Sequence, residues 1–119
     1  MENKGYKMID PNCTPENARA IKDAMSILNG CWKLPILVVL SQGAKRFKEI
    51  SQSLEGISDK MLSRDLKDLE INFLVKRTVY QVFPPRVEYE ITEHTSSLKE
   101  VMFAMSKWGV LHRKKIIER

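Results

Sequence analysis

Ile57-Ser58-Asp59-Lys60-Met61-Leu62-Ser63-Arg64-Asp65-Leu66-Lys67-Asp68-Leu69-Glu70-Ile71-Asn72-Phe73 carries a start signal, an apolar face and a charged face in one run. Ser58 is a favourable N-cap, and Asp59 in the first turn suits the positive end of a helix dipole. Leu62, Leu66, Leu69 and Phe73 recur at i, i+4, i+7 and i+11, which predicts one buried face of an amphipathic helix. At about 3.6 residues per turn the opposite face collects Lys60, Ser63, Arg64 and Lys67, so three cations and a hydroxyl point outward.

Working outward, Leu74 to Val82 and Arg86 to Ile91 read as two strands separated by Phe83-Pro84-Pro85. Val87, Tyr89 and Ile91 alternate with Glu88 and Glu90, the period of a half-buried strand. Pro84 and Pro85 lack a ladder donor and belong in the tip. Upstream, Phe47, Ile50 and Leu54 form the apolar side of a short helix, and Glu55-Gly56 turns the chain into Ile57. A short helix, a Gly-containing turn, a cationic helix and a hairpin, in that order, make a winged helix-turn-helix.

Sequence blocks in the same order carry a family resemblance. Gly30-x-Trp32, Ile36-Leu37, Arg46-Phe47-x-Glu49-Ile50, Ile57-Ser58-x-Lys60-Met61-Leu62, Leu66-Lys67-x-Leu69-Glu70, Pro84-Pro85-Arg86-Val87-Glu88-Tyr89-x-Ile91-Thr92 and Trp108-Gly109 resemble those of HxlR-type transcriptional regulators, from about Cys13 to the end. The resemblance implies a dimeric winged-helix DNA-binding protein related to the MarR group. Cys31 stands where relatives usually carry Lys, Asn72-Phe73 where a glycine commonly ends the recognition helix, and Thr95 in place of a Gly that usually follows the Thr92 position. Asn tolerates a left-handed backbone better than Phe, so the helix is expected to cap at Asn72.

The 119 residues suit one core, and the net charge of +5 favours an anionic partner without proving one. The expected fold is mainly α with a small β-hairpin wing. A flexible arm is expected over residues 1–12 and the winged-helix domain over 13–119, with the helix-turn-helix at about 46–73, the wing at about 74–91 and a C-terminal dimerisation helix at about 92–117. Thr14-Pro15 starts a first helix with apolar face Ile21, Ala24, Met25 and Leu28; Trp32 to Leu40 reads as the buried central helix; and Thr92 is expected to cap the last helix. That last helix is apolar on more than one side, so it is expected to have two partners. A dimer interface is assigned to Ile21, Met25, Leu28, Val101, Met105, Trp108 and Leu111, which would place two reading heads about 34 Å apart on a duplex. Met1 to Pro11 lacks the apolar core of a signal sequence, so a cytoplasmic location is expected.

For DNA contact, Ser58, Lys60, Ser63, Arg64 and Lys67 are assigned to the recognition helix, with Arg64 on a guanine edge and the lysines on phosphates. Lys45, Arg46, Lys76, Arg77 and Arg86 are assigned to the wing and flanks; Arg46 is equally suited to an ion pair with Glu49 or a strand glutamate. Arg86 beside the tip prolines would enter a minor groove, and at most one of Lys76 and Arg77 should face the partner from a regular strand. Cys13 matches a cysteine that some relatives use to sense oxidants; a space-filling role is the alternative. Cys31 is expected to be buried and inert. His94 and His112 fit no zinc spacing, and no nucleophile–base pair or phosphate loop is apparent, so neither metal, cofactor nor catalysis is assigned. These features predict a homodimeric, sequence-specific double-stranded-DNA-binding repressor that answers a small molecule or thiol oxidation. The alternative is a winged-helix module that binds protein.

Overall fold

The computed structural model describes residues 14–118, so Cys13 and the 1–12 arm lie outside the described residues. Five helices and one hairpin follow in order: α1 Pro15–Ile27, α2 Lys33–Leu40, α3 Phe47–Ser53, α4 Asp59–Ile71, β1 Val75–Tyr80, β2 Arg86–Ile91, a short 3-10 turn Thr95–Leu98, and α5 Lys99–Glu118. This is the mainly α architecture with a two-stranded wing that the sequence predicts.

Helix α2 is the hub because it is apolar almost all round. Ile36, Leu37 and Leu40 are fully buried, and α3, α4, β2 and α5 all pack on it. Pro35 is harmless because its missing N–H falls in the first turn. One charge enters this helix: Lys33 is buried, with Nζ donating to Asn29 Oδ1 at 2.9 Å and lying 3.3 Å from Asp68 Oδ2. The pair ties the start of α2 to the back of α4.

Helix α1 begins as its sequence dictates, with Thr14 Oγ1 accepting from the Asn17 N–H at 3.2 Å and Pro15 in the first turn. None of its residues is buried, so Ile21 and Met25 stand open. Leu28 differs from the interface expectation: just past the helix end, it is buried in the chain's own core and is not available to a partner. Cys31 is also corrected, since it is exposed rather than buried. The turn through Gly30, at φ +86°, delays the start of α2 to Lys33 and leaves Cys31 outside the apolar helix.

Helix α4 caps at Asn72 as expected, but the left-handed position falls one residue later. Asn72 keeps a right-handed backbone, and Phe73 takes the left-handed position at φ +64°. The Phe73 N–H bonds to Glu70 O and the Leu74 N–H to Leu69 O, a Schellman ending. Phe73 therefore leaves the apolar face and is 77% exposed, while Leu74 takes the buried place. Thr92 Oγ1 donates to Phe73 O at 2.8 Å, and the fully buried Thr95 donates to Leu74 O at 2.6 Å. Thr92 thus does not cap the long helix: it accepts from the Thr95 N–H at the entry to the 3-10 turn, and the long helix starts later, at Lys99.

The strands pair antiparallel from Val75↔Ile91 to Tyr80↔Arg86. Val75 is buried, and Ile91 and Tyr89 pack on the core, so the wing is rooted in the body. Lys45 adds a bridge that the sequence does not reveal: its N–H and C=O exchange bonds with Tyr89 at 2.9 and 2.8 Å. Among the described residues no helix is long and apolar enough to cross a membrane.

Candidate nucleic-acid interface

Helix α4 contains four acids against three cations, so composition alone makes it a poor ligand for phosphate. Placement offsets most of this. Asp65 is buried, Asp68 faces Lys33, and Asp59 sits in the first turn, where the dipole and Ser51 Oγ at 3.5 Å meet it; the fourth acid, Glu70, is exposed in the last turn. Lys60, Ser63, Arg64 and Lys67 are all exposed, on the side opposite the buried Leu62, Leu66 and Leu69. The Arg64 guanidinium leans along the helix, with Nη2 2.9 Å from Met61 Sδ. Ser58 is also exposed, but its Oγ already accepts from the Met61 N–H at 3.1 Å, so it serves as a cap.

Two features fix the angle at which α4 is presented. Gly56 in the α3–α4 turn holds φ +96°, which side-chain-bearing residues resist, and the Trp32 ring lies beside it at 3.8 Å from where a Cβ would stand. At the start of α3, the Glu49 carboxylate accepts from the Arg46 backbone N–H at 2.7 Å. The expected Glu49 partnership of Arg46 is therefore a bond to its main chain. The Arg46 side chain is exposed, and that of Lys45 is half-buried beside the wing.

On the wing, Lys76 and Arg77 are both exposed and point to opposite faces of β1. Arg86 is folded back. Its guanidinium carbon lies 4.4 Å from the Tyr80 ring centre, and Nε is 3.2 Å from Glu88 Oε2 but off the N–H axis, so the pairing is one of charge rather than a hydrogen bond. The sequence missed three exposed apolar side chains here: Ile71 one turn beyond Lys67, Phe73, and Phe83, which is 99% exposed at the wing tip. The only signal for them was their position after the last core leucine and beside the tip prolines.

The assigned partner surface on the helices is open except for Leu28. Val101, Met105, Trp108 and Leu111 are about half or more exposed, and only Met102 of α5 is buried. Beside them, an open groove of about 430 Å³ runs between α2 and α5, lined by Val38, Ser41, Met102, Phe103 and Ser106 with Lys99 and Glu100 at its edge. Among the described residues no group of three or more His, Cys, Asp or Glu is placed to hold a metal ion.

Residues 27–116 match the family model described as HxlR-like helix-turn-helix. The HTH-type transcriptional regulator YtcD of Bacillus subtilis (strain 168) is 34% identical over 93 residues, 78% of this chain and 74% of that one. YodB of the same organism, also an HTH-type transcriptional regulator, is 41% identical over 89 residues, 75% of this chain and 80% of that one. Among solved structures, the redox regulator HypR in its reduced form superposes with a TM-score of 0.78 at 30% identity, covering 84% of this chain and 99% of that one. A cationic helix held out by a glycine turn, a rooted hairpin behind it and matches of this extent agree, and the chain belongs to the HxlR-like family of winged helix-turn-helix transcriptional regulators.

Proposed function

We propose that the protein is a homodimeric repressor that binds a specific two-fold site in double-stranded DNA. The observation that carries this reading is the exposed row Lys60, Ser63, Arg64 and Lys67, with Asp65 buried and Asp68 turned to Lys33, set opposite three buried leucines. A guanidinium at the centre of such a row suits the O6 and N7 edge of guanine, and the flanking ammonium groups suit phosphates. Lys45, Arg46, Lys76 and Arg77 add charge at the margins, while Arg86 braces the wing. A second copy of the chain would cover the open apolar sides of α1 and α5 and set the spacing of the two heads. Occupying a promoter in this way blocks transcription without further chemistry.

The input acts on that spacing, because an effector shifts an equilibrium only by binding its two states differently. HypR bears the name of a redox regulator, which supports a thiol input at Cys13. The α2–α5 groove, with apolar walls and two serine hydroxyls, supports a small apolar effector lying between the core and the partner helices.

Duplexes recovered from a random pool by the purified protein test the reading. Arg64→Ala is expected to weaken binding to the recovered site by about 1–3 kcal/mol and relax base preference, whereas Lys67→Ala weakens specific and random DNA alike. Equal losses on both kinds of DNA for both variants would remove Arg64 as the base reader.

A further inference from the structure

The foremost side chain of the wing is an aromatic ring. Phe83 is 99% exposed at the tip, and Val82 and Val79 beside it are 52% and 42% exposed. Apolar surface left in water in this way becomes favourable only when a partner covers it. The nearest cation, Arg86, is drawn back along the hairpin by Tyr80 and Glu88, so it does not lead the tip. From Val79 to Val87 there is no carboxylate, and nothing in this segment repels phosphate. The tip is also ordered in advance. The Val82 N–H bonds to Tyr80 O at 2.9 Å, and the rings of Pro84 and Pro85 fix their own φ, so little freedom is lost when a partner binds.

We infer that Phe83 is an apolar wedge, seated by the wing in the minor groove beside the site read by α4 and pressed against sugar walls or between base steps. The inference rests on the DNA-binding reading above and adds a specificity-determining residue to it. The occupant is nucleic acid because the hairpin follows directly from the cationic helix, with one exposed cation on each face of β1 at its base, Lys76 and Arg77. A wedge that unstacks a step is cheapest at flexible pyrimidine–purine steps, so it reads deformability rather than a hydrogen-bond pattern. The recovered duplexes should accordingly be enriched in TA or CA steps flanking each half-site.

The test measures anisotropy of those duplexes with the full chain over a range of salt. Phe83→Ala, at a site so exposed that folding is untouched, is expected to weaken binding about tenfold to a hundredfold, with Phe83→Leu retaining most of the affinity. Because no charge is removed, the salt slope should stay that of the wild type. 2-Aminopurine placed in the flanking step should brighten on binding wild type and stay dim with Phe83→Ala. Binding by Phe83→Ala within about twofold of wild type, or a loss accompanied by a shallower salt slope, would overturn the wedge. If wild type recovers no duplex and Lys67→Ala changes nothing, the DNA reading itself has failed; if those two behave as stated and only Phe83 is silent, the wedge alone has.

Discussion

Phe73 holds a backbone conformation that costs a residue with a Cβ roughly 1–2 kcal/mol, and the site gives back little, since its ring is 77% exposed. The Schellman bonds and the hydroxyls of Thr92 and Thr95, which take the Phe73 and Leu74 carbonyls, hold it there. Glycine would relieve the strain, offset in part by about 0.5–1 kcal/mol of freedom in the unfolded chain. Phe73→Gly should therefore raise stability by about 0.5–1 kcal/mol in chemical denaturation, and a fall would show that the exposed ring contributes packing that outweighs the strain. This residue also marks where sequence reasoning stopped. Asn is the better left-handed residue in isolation, but the buried ladder Leu62, Leu66 and Leu69 needs Leu74 inside, and that register puts the turn at Phe73.

At the scale of elements, α2 and α4 meet across Lys33 and Asp68. Lys33 is buried and Asp68 is half-exposed, so removing the acid leaves an ammonium with Asn29 as its remaining hydrogen-bond partner. Asp68→Ala should lower stability by about 1–2 kcal/mol, read from the denaturant midpoint at constant slope. No change would mean that water already satisfies Lys33. The helices and hairpin were legible because periodicity, caps and prolines agree locally: Ser58, Thr14 and Pro15 each do what their chemistry favours. Contacts between distant segments were not legible. Lys45 joining Tyr89, Lys33 reaching Asp68 and Arg86 lying on Tyr80 depend on tertiary approach, which a linear pattern does not encode. The cationic row is exposed as one face, as its spacing predicts, but the withdrawal of Asp68 to Lys33 depends on the same unseen approach.

For the whole molecule, a long C-terminal helix with one buried residue leaves most of its apolar side chains open to the proposed second copy. Trp108 is 62% exposed and, among the described residues, stacks on His112, its ring 4.8 Å away on the same helix. Trp108→Glu leaves the described core intact and should turn a two-copy assembly into single chains in analytical ultracentrifugation. An unchanged assembly would move the interface elsewhere on α1 or α5. The proposed pairing matters because one cationic row would touch few phosphates, whereas two rows on one duplex would double the number of counterions released.

That dependence gives the most direct measurement: affinity for a recovered duplex across a salt series, for wild type and for Lys67→Ala. The expected result is a steep fall in affinity with salt for wild type, and for the variant a slope shallower by about two, one released counterion for each copy in the dimer. A flat dependence, or equal slopes for the two proteins, would contradict a paired cationic helix on DNA.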